Sequence, residues 1–110
     1  MTYEEIKQML DTVGVPLAYY QFSHASGQQP PFITYYFQGD NDLKADNINY
    51  QKIRQLVIEL YTNRKDFTLE AAVESALTAH DLAYSRTEEY IQTERMHMVT
   101  FYTEVLINEQ

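Results

Sequence analysis

Three histidines, His24, His80 and His97, are the first residues to test for metal or acid–base chemistry. They fall in a Gly/Pro-bounded loop, at the end of a predicted helix and in a predicted strand. None has a second ligand at the i+4 spacing that sets two imidazoles on one helical face. Met96-His97-Met98 offers soft thioether and imidazole donors of the kind that hold copper. Successive strand residues point to opposite faces, so His97 cannot share a site with both methionines. The run Asp40-Asn41-Asp42-Leu43-Lys44-Ala45-Asp46 begins like a calcium loop. It then places Lys44 at the fifth position and Ala45 where the tight turn needs glycine, so a solvated loop is the better reading. Glu88 and Glu89 diverge as strand neighbours and do not make a general acid/base pair. Ser23, Ser26, Ser75 and Ser85 have no base in a recognisable pattern, and neither a glycine-rich phosphate loop nor a nucleophile elbow occurs. The expectation is a non-enzyme without metal or cofactor.

Charge narrows the partners. Sixteen acidic residues against eight basic ones give a formal net charge of −8. Tight nucleic-acid binding relies on Lys and Arg neutralising phosphates, and an anionic membrane surface attracts the same residues. Both are disfavoured. No cysteine is present, which excludes disulfides and thiol nucleophiles. The start MTYEEIKQML lacks a basic, then apolar, leader pattern, and no apolar run reaches the roughly 20 residues of a membrane span. An apolar content of 45% argues against disorder, and 110 residues suit one domain, here taken as 1–110.

The elements that must position any site are legible from periodicity. Thr2 and Glu5 make a capping-box pattern, and Ile6, Met9, Leu10 and Val13 form one apolar stripe, ended by Gly14 and Pro16. Strands are predicted at 17–22, 32–38, within 47–62, at 82–90 and at 96–107, with loops at 24–31 and 39–46. A second helix, capped by Asp66 or Thr68, carries Leu69, Val73, Ala76 and Leu77 and ends near His80. The order is α-β-β-β-α-β-β. It predicts an α+β fold, an antiparallel sheet of about five strands with both helices packed on one face.

Alternation then separates two faces. Leu56, Ile58 and Leu60 share one face of the third strand, while Gln55, Val57, Glu59 and Tyr61 share the other. Val99, Phe101 and Val105 oppose Met98, Thr100, Tyr102 and Glu104, and Ile33, Tyr35 and Phe37 oppose Thr34 and Tyr36. Large side chains on both faces are unusual for an antiparallel sheet with one side in water. Tyrosine, present ten times, suits surfaces that are apolar at one end and wet at the other. Tyr36, Tyr61 and Tyr102 are therefore the interface candidates. Asp40, Asp42 and Asp46, in the acidic loop, are candidates for contact with a neighbour or with a channel lumen.

A resemblance runs across nearly the whole chain. It is carried by Pro16 with Ala18-Tyr19-Tyr20 and Phe22, by Pro31-Phe32-Ile33-Thr34-Tyr35-Tyr36, and by Asn47 with Tyr50. Val57-Ile58-Glu59-Leu60-Tyr61-Thr62 leading to Lys65-Asp66, then Glu70, Val73 and Glu74, continue it. Glu88-Glu89-Tyr90-Ile91 with Glu94-Arg95-Met96 complete it. With these residues the chain resembles the small neck proteins of long-tailed, non-contractile bacteriophages, in the tail-terminator or tail-completion group of phages and prophages of Gram-positive bacteria. The resemblance implies an α+β subunit of a homo-oligomeric, hexameric ring that caps the tail tube, fixes tail length and docks the head connector or stopper. DNA would pass through the lumen without specific binding. The expected location is the virion, with assembly in the host cytoplasm and no membrane partner. No catalytic residues are implied. A different neck or minor capsid component is the second reading, and a small protein-binding module using the tyrosine-rich sheet is the third.

Overall fold

The computed structural model describes residues 1–22, 27–40, 43–45 and 48–108, and the side chains of these apart from residues 40, 43–45 and 48–51. The order of elements is α1 (Tyr3–Asp11), β1 (Leu17–Tyr19), β2 (Phe32–Asp40), β3 (Leu43–Ala45), β4 (Ile48–Thr62), α2 (Phe67–Ala79), β5 (Tyr84–Ile91) and β6 (Met96–Ile107). This is the predicted α+β order, with one short strand added.

Both helices start where side chains replace missing backbone partners. The Thr2 hydroxyl accepts from the Glu5 amide at 3.1 Å, while the Glu5 carboxylate accepts from the Thr2 amide at 2.8 Å. Gly14, at φ +87°, then turns the chain out of α1, a conformation that costs glycine nothing. At α2 the Asp66 carboxylate accepts from the Leu69 amide at 3.0 Å, so Asp66 rather than Thr68 is the cap.

The sheet runs β1-β2-β4-β6-β5, with β3 paired to β4. Neighbours along this path are antiparallel except β1 and β2, which are parallel. The expectation of a purely antiparallel sheet is corrected there. Residues 20–31 provide the long connection that a parallel pair requires. Strand β1 is also shorter than predicted, because Tyr20 takes φ +71° and leaves the extended region. In the other direction β2 runs on to Asp40, across a register shift between Phe37 and Gly39. Part of the predicted 39–46 loop is thus strand.

One face of the sheet carries the core. Ile6, Met9 and Leu10 of α1 and Val73, Ala76 and Leu77 of α2 pack on Ile33, Leu56, Ile58, Leu60, Val99 and Phe101. Both helices lie on that face, as the alternation predicts. Phe101 has no exposed surface. Burying such a side chain stabilises the fold by about 1.5–3 kcal/mol.

The uncovered sheet face as candidate functional site

Among the described residues, no helix covers the opposite face. Its side chains line up in rows across the strands, fixed by the register. Phe32, Tyr61, Met98 and Glu89 form one row. Thr34, Glu59, Thr100 and Thr87 form the next, and Tyr36, Val57, Tyr102 and Ser85 the third. The first and third rows are bulky, and the middle row is small except for Glu59. Thr34 and Thr100 in this middle row are nonetheless buried, closed over by the larger side chains around them.

The structure brings Tyr36, Tyr61 and Tyr102 to this one face. Tyr36 and Tyr102 flank Val57, which is only 1% exposed although no helix of the described residues lies over it. Tyr20, on the connection after β1, brings its ring to 5.4 Å from that of Tyr36. Tyr61 stacks on Phe32 at 4.8 Å, and Phe32 meets Phe22 edge-on at 5.2 Å. The Tyr61 hydroxyl donates to Glu59 Oε1 at 3.3 Å, and the Thr34 hydroxyl donates to the same oxygen at 3.0 Å. Burial, then the nearby Glu59 charge, pushes the Tyr61 phenol up to about 12. The same two causes raise Tyr36. Tyr102 is the most open of the three, at 38%. An open groove of about 470 Å³ continues the face towards the β5–β6 turn, between Tyr20, Phe22, Phe32, Tyr61 and Met96, with Glu94 on its rim.

Of the acidic candidates, Asp40 is described through its backbone. The backbone of Asp40 closes β2 opposite Arg54, beyond the register shift. Asp42 and Asp46 lie outside the described residues.

Histidine positions follow the strand and helix geometry. His80 Nδ1 lies 3.0 Å from the Ala76 carbonyl, and the His97 ring packs edge-on against Tyr90 at 4.9 Å. His24 lies outside the described residues. Glu88 and Glu89 do diverge, but Glu88 is no idle surface group: Lys65 Nζ pairs with it at 2.6 Å.

That pair belongs to a network on the helix side that sequence reasoning missed. Glu70, 3% exposed, binds Arg86 at 2.5 Å and Lys65 at 2.8 Å, while Arg86 also binds Glu74 at 3.2 Å. The Arg86 guanidinium lies over the Phe101 ring, 5.4 Å from its centroid. A hydrogen bond from Lys65 holds the Glu88 carboxyl below its ordinary range. Glu70 occupies the α2 stripe one turn before Val73, and a carboxylate on an apolar stripe is the signal that could have found it.

The architecture is that of an α+β sheet with both helices on one face and, among the described residues, an aromatic second face that no helix covers. Comparison with known proteins gives a structural match only. No protein-family profile matches the chain, and no curated protein sequence does. Among solved structures, it is similar to a chain of the virion of a native gene transfer agent particle, with a TM-score of 0.60 and 13% sequence identity. The match covers 94% of this chain and 90% of that one, so the whole fold is shared.

Proposed function

We propose that this chain is a structural component of a phage or phage-like virion, acting in the neck as a tail terminator or tail-to-head joining protein. It assembles as a ring, hexameric by resemblance to the family, that caps the tail tube, fixes tail length and offers a docking surface to the head connector or stopper. DNA passes through the lumen without specific binding, in keeping with the net charge of −8. The role is carried by surfaces rather than by catalysis. The protein resides in the virion and assembles in the host cytoplasm.

The observation that carries this reading is the tyrosine-rich sheet face that no helix of the described residues covers, in a fold similar over 94% of its length to a virion chain. Tyrosine and phenylalanine supply large contact area at low entropic cost, and a contiguous aromatic patch on a small domain marks a contact surface. No helix among the described residues is long and apolar enough to cross a membrane.

Electron microscopy of lysates from a phage lacking this gene tests the proposal. Overlong, uncapped tail tubes are the expected result. Normal-length tails beside unjoined, DNA-filled heads would move the role to another neck component. Unaltered particles would contradict a structural role.

A further inference from the structure

The two edges of the sheet are built differently. At one edge β1 has three residues, preceded by Pro16 and ended by the positive φ of Tyr20, a short and broken edge of the kind that resists pairing. At the other edge β5 runs for eight residues, Tyr84–Ile91, with no proline and no register shift against β6. Among the described residues, no strand pairs with its outer side, and Ser85, Thr87, Glu88, Glu89 and Tyr90 are exposed. Alternation fixes which backbone groups that edge offers. Ile33 turns its amide towards β1 and donates to the Pro16 carbonyl at 2.9 Å. Carried through the antiparallel register, the same alternation turns the backbone groups of Ser85, Thr87 and Glu89 to β6. Those of Tyr84, Arg86, Glu88 and Tyr90 face outward.

We propose that β5 pairs with β5 of a second copy, antiparallel, about a two-fold axis through Thr87. In that register Arg86 lies opposite the partner's Glu88, and Glu88 opposite the partner's Arg86. Tyr84 lies opposite the partner's Tyr90. All four are outward-facing residues, as hydrogen-bonded pairs require, and Thr87 meets the partner's Thr87 in a non-hydrogen-bonded pair. Charge selects this register. A slide of two residues sets Arg86 against the partner's Arg86 or Glu88 against the partner's Glu88, and a slide of one sets outward backbone groups against inward ones. Within each copy Arg86 binds Glu70 and Glu74, and Glu88 binds Lys65, so pairing joins two partly exposed networks into one. Lys65 also lies over the ring of Phe67, which is 73% exposed, so apolar surface stands beside the same edge. Both helix layers then share one side of the joined sheet, and both aromatic faces share the other. Contacts around a cyclic ring are heterologous, whereas this one is isologous. The pair is thus a state of the protein outside any ring, and the inference stands apart from the neck role.

Disulfide trapping tests the register, in a chain with no cysteine of its own. Opposed residues of a non-hydrogen-bonded pair have Cα atoms about 4.5 Å apart, within disulfide reach. With oxidised glutathione as the oxidant, Thr87→Cys should form a covalent dimer at least about tenfold faster than Ser85→Cys or Glu89→Cys alone. Those two variants, mixed, should cross-link to each other, because residue 85 lies opposite the partner's residue 89. Sedimentation equilibrium of the wild-type protein should show a monomer–dimer equilibrium. Glu88→Arg, which sets like charges opposite each other, should raise the dissociation constant about tenfold or more. A wild-type chain that stays monomeric, or equal cross-linking of the three single-cysteine variants, would overturn the pairing whether or not Glu88→Arg folds. An unchanged dissociation constant in a folded Glu88→Arg would do the same.

Discussion

Two glutamates on opposite faces of one sheet show how differently this fold treats charge. Glu70, on the helix side, is nearly inaccessible and is matched inside the chain by Arg86 and Lys65. Glu59, on the bare side, is half-buried among aromatic rings and, among the described residues, receives two hydroxyls. A buried carboxylate needs its partners within the fold, because leaving it unpaired costs several kcal/mol. A carboxylate at an open face can keep part of its water and receive its counter-charge later. The difference separates a face finished by folding from one finished by assembly.

That contrast is sharpest between sequence neighbours. Phe101→Ala, on the helix side, should cost about 3–5 kcal/mol in chemical denaturation, a large share of the stability of an ordinary domain. Tyr102→Ala, on the bare side, should cost under about 1.5 kcal/mol, because the ring is already partly in water. Similar losses at the two positions would break the two-face account.

The glutamates give the next test. Glu70→Ala should destabilise by about 2 kcal/mol, since Arg86 and Lys65 lose their shared acceptor, while Glu59→Gln should stay within about 0.5 kcal/mol. Thr2→Ala, which removes one half of the α1 capping box, should cost about 1 kcal/mol and leave both faces intact.

The smallest effects are read by titration. Glu88 has a folded-state pKa below its unfolded value, so its pairing with Lys65 supports the fold above the ordinary glutamate value of about 4.3. That support is lost as pH falls through the folded value, and Lys65→Met should return the Glu88 carboxyl towards normal in an NMR titration. Tyr61 has the opposite sign. Its pKa is raised in the folded state, so its contribution is complete below about pH 10 and disappears as pH rises towards 12. In an alkaline absorbance titration, Tyr61→Phe should remove a late-ionising tyrosine, and Glu59→Gln should make Tyr61 ionise earlier.

Periodicity made the two faces legible. Leu56, Ile58 and Leu60 were separable from Val57, Glu59 and Tyr61 because strand side chains alternate with period two. The stripe of α1 and its capping box were equally readable. What periodicity cannot carry is which strands are neighbours. The rows that place Tyr36 beside Val57 and Tyr102, or Thr34 beside Glu59, depend on long-range register, as does the parallel pairing of β1. The Arg86–Glu70 pair was hidden for the same reason, because it joins α2 to β5 through tertiary packing alone.

The central claim, that the uncovered face is finished by a neighbour in a particle, is tested most directly by complementation. Particles lacking this gene would be supplied in trans with wild-type protein or with Tyr102→Asp, and tail tubes measured by electron microscopy. The expected result is that wild-type protein restores normal tails, while the variant still folds and unfolds in one cooperative transition yet leaves tubes uncapped. Full rescue by Tyr102→Asp would contradict the claim.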